Sequence, residues 1–223
     1  MTKIAIVGCG RMGSLLAGKL APVYELYVYD RIPDNAQRLS KSCGAVAASK
    51  EDLRNAEIII MALATETVLQ ALRELEDYLA ESAVIVNIAT TLPHSALKIK
   101  YQKVSAKIIG HAKEMAAGEK PVVIVEGDNE DSEKPVRDIF AHIGTVEKGD
   151  TDLVGRINTL SSKYGILTAL QIQKELEGLK LSQEIVTAAI RNVAAGTMKA
   201  FALGDAGPFA QSIIAEYDKE KNV

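Results

Sequence analysis

Residues 3–13, Lys-Ile-Ala-Ile-Val-Gly-Cys-Gly-Arg-Met-Gly, run an apolar, strand-forming segment straight into glycines at positions 8, 10 and 13. Few folds accept that arrangement. Gly8 allows a sharp turn, Gly10 removes a side chain where the backbone must approach a ligand's phosphates, and Gly13 lets the following helix pack closely on the strand. Arg11 and Met12 then open a helix whose first N–H groups have no intrahelical partner and face the phosphates. Leu15, Leu16, Lys19 and Leu20 carry the helical pattern onward. Gly8, Gly10, Arg11, Met12 and Gly13 are therefore candidate ligands of a dinucleotide pyrophosphate.

A second apolar run, Leu26 to Tyr29, ends in Asp30, within the roughly 20-residue interval at which an acidic group meets the adenosine ribose. Its carboxylate can accept both ribose hydroxyls and would repel a ribose 2′-phosphate, which favours NAD. Arg31 beside it can hold such a phosphate, so NADP stays open. An Asp30 that merely turns the chain before Pro33 is the structural alternative.

The chain of 223 residues is 48% hydrophobic and 25% charged, with a formal charge of −3, an ordinary soluble composition. No basic run or aromatic platform points to nucleic acid. No apolar stretch is long enough to span a membrane, and no leader is read at the start, so a cytoplasmic location is expected. Cys9 and Cys43 lack the spacing of a metal site or redox pair.

Strand and helix signals alternate through the first 150 residues, implying a doubly wound, mainly parallel α/β sheet. A helix near 34–43, a short apolar stretch at 45–48 and a buried strand at 57–63 follow Asp30. Val68, Leu69, Leu72, Leu75 and Leu79 then mark a crossover helix starting at Thr65. Ala83 to Ala89 reads as a strand covered on both faces. Strands are expected at 106–109 and 122–125, a helix near 130–143 and an edge strand at Val146. The crevice outside the strands' carboxyl ends makes Leu63, Ala64, Ala89 and Thr90 further cofactor candidates.

From residue 151 to 223 strand signals fade, and two long helical stretches break at Gly178. One carries Val154, Ile157, Leu160, Tyr164, Leu167 and Leu170; the other carries Ile185, Ala189, Val193, Thr197 and Phe201. The expected layout is a Rossmann domain at 1–150 and an all-helical substrate and dimerisation domain at 151–223. So small a helical segment is marginal as an independent core, which predicts a homodimer.

The glycine turn Ile-Val-Gly-Cys-Gly-Arg-Met-Gly, the strand Val86-Asn87-Ile88-Ala89 and the tail beginning Asp152-Leu-Val-Gly-Arg-Ile-Asn-Thr-Leu-Ser161-Ser162 together resemble the pyrroline-5-carboxylate reductases. These belong to a wider group with the β-hydroxyacid, 6-phosphogluconate and prephenate dehydrogenases. The resemblance implies an NAD(P)-dependent oxidoreductase moving hydride to or from a small imino, keto or hydroxy acid. Where those reductases carry Ser-Gly-Ser-Gly-Pro-Ala-Tyr, this chain has Leu160-Ser-Ser-Lys-Tyr-Gly165. Where they carry Ser-Pro-Gly-Gly-Thr-Thr, it has Gly204-Asp-Ala-Gly-Pro-Phe209. A prephenate dehydrogenase-like enzyme and a non-catalytic dinucleotide sensor are the alternatives.

Gly110-His111-Ala112-Lys113 is similar to the His-Pro-Met segment of prephenate dehydrogenases, which makes His111 a candidate proton-transfer group. Ser161, Ser162 and Lys163 offer hydroxyls and an ammonium to a substrate carboxylate. Asn158, an amide on an otherwise apolar helix face, can orient nicotinamide or substrate, or satisfy a backbone group. His94 and His142 read as helix-surface residues. The acidic run at 126–133 reads as solvated charge at a helix start.

Overall fold

The computed structural model describes residues 2–221. Eight strands form one sheet in the order β3-β2-β1-β4-β5-β6-β7-β8. They are β1 (Lys3–Val7), β2 (Glu25–Tyr29), β3 (Val46–Ala47), β4 (Ile58–Met61), β5 (Val84–Asn87), β6 (Gln102–Ile109), β7 (Val122–Gly127) and β8 (Thr145–Lys148). Every neighbouring pair is parallel except β6 and β7, where Ser105 faces Glu126 and Lys107 faces Ile124. The sheet is thus doubly wound and mainly parallel, with the order reversing between β1 and β4.

The connecting helices are α1 (Arg11–Leu20), α2 (Pro33–Cys43), α3 (Thr65–Leu75), α4 (Ala112–Ala116) and α5 (Glu130–Ala141). β4, and β1 after Lys3, are apolar throughout because both faces of the sheet are covered. Ile4, Ile6, Ile58 and Ile60 pack with Leu16 and Leu20 of α1 on one face. Ala5, Val7, Ile59 and Met61 pack with Val68, Leu72 and Leu75 of α3 on the other. Each large aliphatic side chain so buried contributes about 1.5–3 kcal/mol.

Three outcomes differ from the sequence expectation within this part. β6 starts at Gln102 rather than 106, because its polar first residues pair with Val84 and Ile85 of β5. His94 is not a surface residue but is 8% exposed. Pro93 and a 3-10 turn over His94–Ala96 carry it inward, where Nδ1 lies 3.0 Å from Ser105 Oγ and Nε2 3.2 Å from Asp128 Oδ1. The acidic run is likewise engaged. Glu133 is 3% exposed, accepts from Gly127 N and pairs with Arg137 and Lys148, while Asp128 holds His94.

The chain divides into two compact units, residues 1–159 and 160–223. Helix α6 (Asp152–Leu176) begins in the first and continues into the second. The second unit is all-helical: the rest of α6, then α7 (Gln183–Ala188), a π-helical turn at Ala189–Ala194, α8 (Ala195–Ala202) and α9 (Pro208–Lys221). The stripe from Ile185 to Phe201 repeats every four residues, which drifts around an α-helix. The wider i→i+5 turn in its middle offsets that drift. α9 was not among the two expected helical stretches; its apolar residues are too scattered for a clear stripe. Among the described residues no helix is long and apolar enough to cross a membrane.

Candidate functional site

The glycine turn leaves β1 at Val7 and enters α1 at Arg11. Gly8 takes φ +104°, a left-handed conformation, and a Cβ there would lie 2.6 Å from the Ala62 carbonyl oxygen. A Cβ at Gly13 would run into the Gly8 carbonyl oxygen. These two glycines serve the fold: the turn, β4 and α1 touch with no room for a methyl group. Gly10 is different. A Cβ there meets nothing within 4 Å, so packing within the turn does not demand a glycine at this position. The amino end of α1 has no side-chain cap and no acidic residue in its first turn, whereas α5 is capped by Asn129 and α7 by Ser182. Arg11 is exposed and Met12 partly buried on that first turn. An open approach to uncapped, positively polarised N–H groups fits a pyrophosphate.

Asp30 ends β2 and braces the turn. Its Oδ2 accepts from the Cys9 N–H at 2.9 Å, and its Oδ1 accepts from Ile32 N at 3.0 Å and Asn35 Nδ2 at 3.2 Å. Burial, then the charge of Asp30, then Cys43 push the Cys9 thiol up to about 11. Beside Asp30 and the exposed Arg31 opens a cavity of about 230 Å³, walled by Leu63 and by Ala71 of α3 and rimmed by Gln70 and Glu74. Adenosine placed with its ribose on Asp30 has this cavity next to it.

The loops after β4, β5 and β6 converge on a second region. Thr65 Oγ1 and Thr91 Oγ1 lie 2.8 Å apart and join the loop carrying Leu63 and Ala64 to the loop carrying Ala89 and Thr90. Ala89 N donates to Asn87 Oδ1, which shapes the end of β5. α6 passes close by: a Cβ on Gly155 would lie 3.1 Å from the Thr90 carbonyl oxygen, and Asn158 Nδ2 donates to the Ile108 carbonyl oxygen at 2.9 Å. β5 ends at Asn87, so that part of β6 has no strand partner on its β5 side, and Asn158 fills in. His111 follows β6, exposed, in the cap position of α4. Ser161, Ser162 and Lys163 are exposed on α6 in the second unit.

Several residues here escaped the sequence reading. Lys107 on β6 is 1% exposed, and its Nζ bonds Asp152 Oδ1 at 3.1 Å. Glu126 Oε2 accepts from both Thr151 N and Thr151 Oγ1, at 3.0 and 2.7 Å. Together they fasten the start of α6 to the sheet. The one signal was a lone cation inside the apolar run Ala106-Lys-Ile-Ile109.

A doubly wound sheet whose first turn presents uncapped helix N–H groups beside an open glycine has the arrangement of a dinucleotide-binding protein. Comparison with known sequences agrees: the family described as the NAD binding domain of 6-phosphogluconate dehydrogenase matches residues 3–155. The chain belongs to that family. A pyrroline-5-carboxylate reductase from Methanosarcina acetivorans is 24% identical over 213 residues, covering 84% of this chain and 75% of that protein. The structure of a pyrroline-5-carboxylate reductase from Coxiella burnetii superposes with a TM-score of 0.72 at 17% identity, covering 99% of this chain and 92% of that one. A Plasmodium falciparum pyrroline carboxylate reductase with NADP bound gives 0.67 at 20% identity, covering 99% and 90%. The family makes the chain an NAD(P)-dependent oxidoreductase, and the two reductase structures share its fold.

Proposed function

We propose that the protein transfers hydride between a nicotinamide cofactor and a small imino, keto or hydroxy acid, in the manner of a pyrroline-5-carboxylate reductase. The observation that carries the cofactor half is the open Gly10 before an uncapped α1. The acid half draws on the reductase relatives. Bound cofactor supplies or accepts the hydride; the chain's residues position and move protons. Asn158, its Nδ2 committed to Ile108, presents Oδ1 to the nicotinamide carboxamide. In the second unit Ser161, Ser162 and Lys163 are the donors offered to a carboxylate; in the first, His111 is the group offered for proton exchange. Asp30 favours an unphosphorylated ribose, hence NAD over NADP.

The test uses the cofactor's own fluorescence, since the chain has no Trp. NADH and NADPH are titrated, and turnover is followed with pyrroline-5-carboxylate, keto acids, hydroxy acids and prephenate. Turnover of the imino acid supports the reading. Binding without turnover of any substrate replaces it with the sensor alternative, and binding of neither cofactor overturns it.

We also propose a homodimer built on the 151–223 segment, working in the cytoplasm, where its two free cysteines stay reduced. None of residues 160–219 is buried. Leu160, Tyr164, Leu167 and Leu170 of α6 are 48–59% exposed, and Phe201 of α8 is 63% exposed. A helical segment with no buried residue has no core of its own, and a second copy offers the same apolar surface in return. Sedimentation should give a dimer that Leu167→Glu splits into monomers; a monomeric wild type would refute it.

A further inference from the structure

Among the polar side chains lining the cavity beside Asp30 are Gln70 and Glu74, which neither the glycine turn nor hydride transfer employs. Gln70 and Glu74 lie one helical turn apart on α3, and Gln70 Nε2 donates to Glu74 Oε1 at 2.8 Å. A carboxylate can only accept, so the bond favours one orientation of the carboxamide: its nitrogen faces Glu74, and turning it over would set oxygen against oxygen. That leaves a carbonyl oxygen and one N–H of Gln70 in a fixed order at the rim. The wall behind them is apolar, formed by Leu63, Ala71 and Leu75. Glu74 stands close enough to the cavity that its charge, after burial, helps raise the Tyr29 phenol above its ordinary value.

We propose that Gln70, held in one orientation by Glu74, reads the edge of the adenine ring, its oxygen accepting from the N6 amino group and its N–H donating to N1. This rests on the dinucleotide reading above and adds base recognition to it. An apolar wall takes either purine face; only the rim distinguishes their edges. Adenine offers a donor at N6 beside an acceptor at N1. Hypoxanthine offers an acceptor at position 6 beside a donor at N1, so both bonds to a fixed carboxamide become clashes of like groups. An unfixed carboxamide would turn over and accept either base. Glu74 therefore creates the discrimination, and Gln70 makes the contact. Carboxamide pairing to adenine's donor and acceptor is a recurrent solution to base reading, each bidentate pair giving a discrimination of roughly 5- to 150-fold.

The experiment titrates the protein with NADH and with its hypoxanthine analogue, reduced nicotinamide hypoxanthine dinucleotide, by nicotinamide fluorescence. The wild type should bind the hypoxanthine form at least about fivefold more weakly. The ratio of the two dissociation constants should fall to within about twofold in Gln70→Leu, where the contact is gone, and in Glu74→Leu, where the carboxamide is released to turn over. Both positions are exposed, and thermal unfolding checks that the variants are folded. Equal wild-type affinities overturn base reading and leave the dinucleotide site standing. Discrimination that survives Gln70→Leu overturns the assignment to this residue, and survival in Glu74→Leu alone overturns the orienting role. Failure to bind either dinucleotide overturns the site itself.

Discussion

Removing the carboxylate of Asp152 should destabilise the protein far more than removing the buried charge it neutralises. Lys107 Nζ lies 3.1 Å from Asp152 Oδ1, with the lysine side chain 1% exposed and the aspartate 51% exposed. Stripping the partner from a fully buried pair costs about 3–5 kcal/mol because an uncompensated charge stays behind. Water already reaches Asp152, and exposed pairs contribute at most about 1 kcal/mol, so the expected cost of Asp152→Ala falls between, near 2 kcal/mol. For a chain of this size that lowers Tm by about 4–8 °C. Lys107→Met keeps the volume and deletes the desolvated charge, and should stay within about 1 kcal/mol of wild type. In the Lys107→Met background, Asp152→Ala loses only the favourable charge at the start of α6, about 0.5 kcal/mol. Urea unfolding of the four proteins, at one protein concentration and without cofactor, gives the cycle. A Lys107→Met cost equal to that of Asp152→Ala, or strictly additive costs, would refute the view that Lys107 is tolerated only through its partner.

Gly10→Leu should abolish NADH binding while leaving unfolding free energy within about 1 kcal/mol. Gly13→Ala, whose Cβ runs into the Gly8 carbonyl, should instead destabilise by about 2 kcal/mol or more, as denaturant unfolding will register. Asp30→Asn removes a carboxylate that serves three donors, which should cost about 1–3 kcal/mol of stability. The same change should shift the ratio of NADPH to NADH affinity toward NADPH, measured by fluorescence titration. The Cys9 thiol, raised from 9.0 to about 11 by burial, Asp30 and Cys43, should resist alkylation at pH 8. Because its folded value lies above the unfolded one, Cys9 contributes stability that is whole below pH 9 and is lost as pH rises through 11, so denaturation midpoints should fall across that interval.

How much of this was visible in the residues follows from the range of the forces involved. The strand–turn–helix at 3–13 declares itself because each glycine answers a local demand, and the structure separates those demands: Gly8 and Gly13 answer packing, while Gly10 faces outward. The buried strands β1, β4 and β5 show as apolar runs, broken only by Lys3 at the start of β1 and Asn87 at the end of β5, because cover on both faces imposes the pattern. Interactions between distant segments leave no such trace. Thr151 and Glu126, 25 residues apart, meet only because β7 and the start of α6 are brought together, and each alone resembles a surface polar residue. His94 misled for the same reason: its two partners sit 11 and 34 residues away, and nothing in Pro-His-Ser announces that the turn points inward. Lys107 is the intermediate case. A cation amid Ala106, Ile108 and Ile109 violates the local apolar pattern, and such a violation in a buried strand has few explanations: an edge, a partner or a ligand. At Lys107 the strand is paired with β7 on one side only, and Asp152 supplies the partner. A local rule broken inside an otherwise consistent element was therefore the trace a long-range contact left, and it located the point where α6 is fastened beside Thr90 and Asn158.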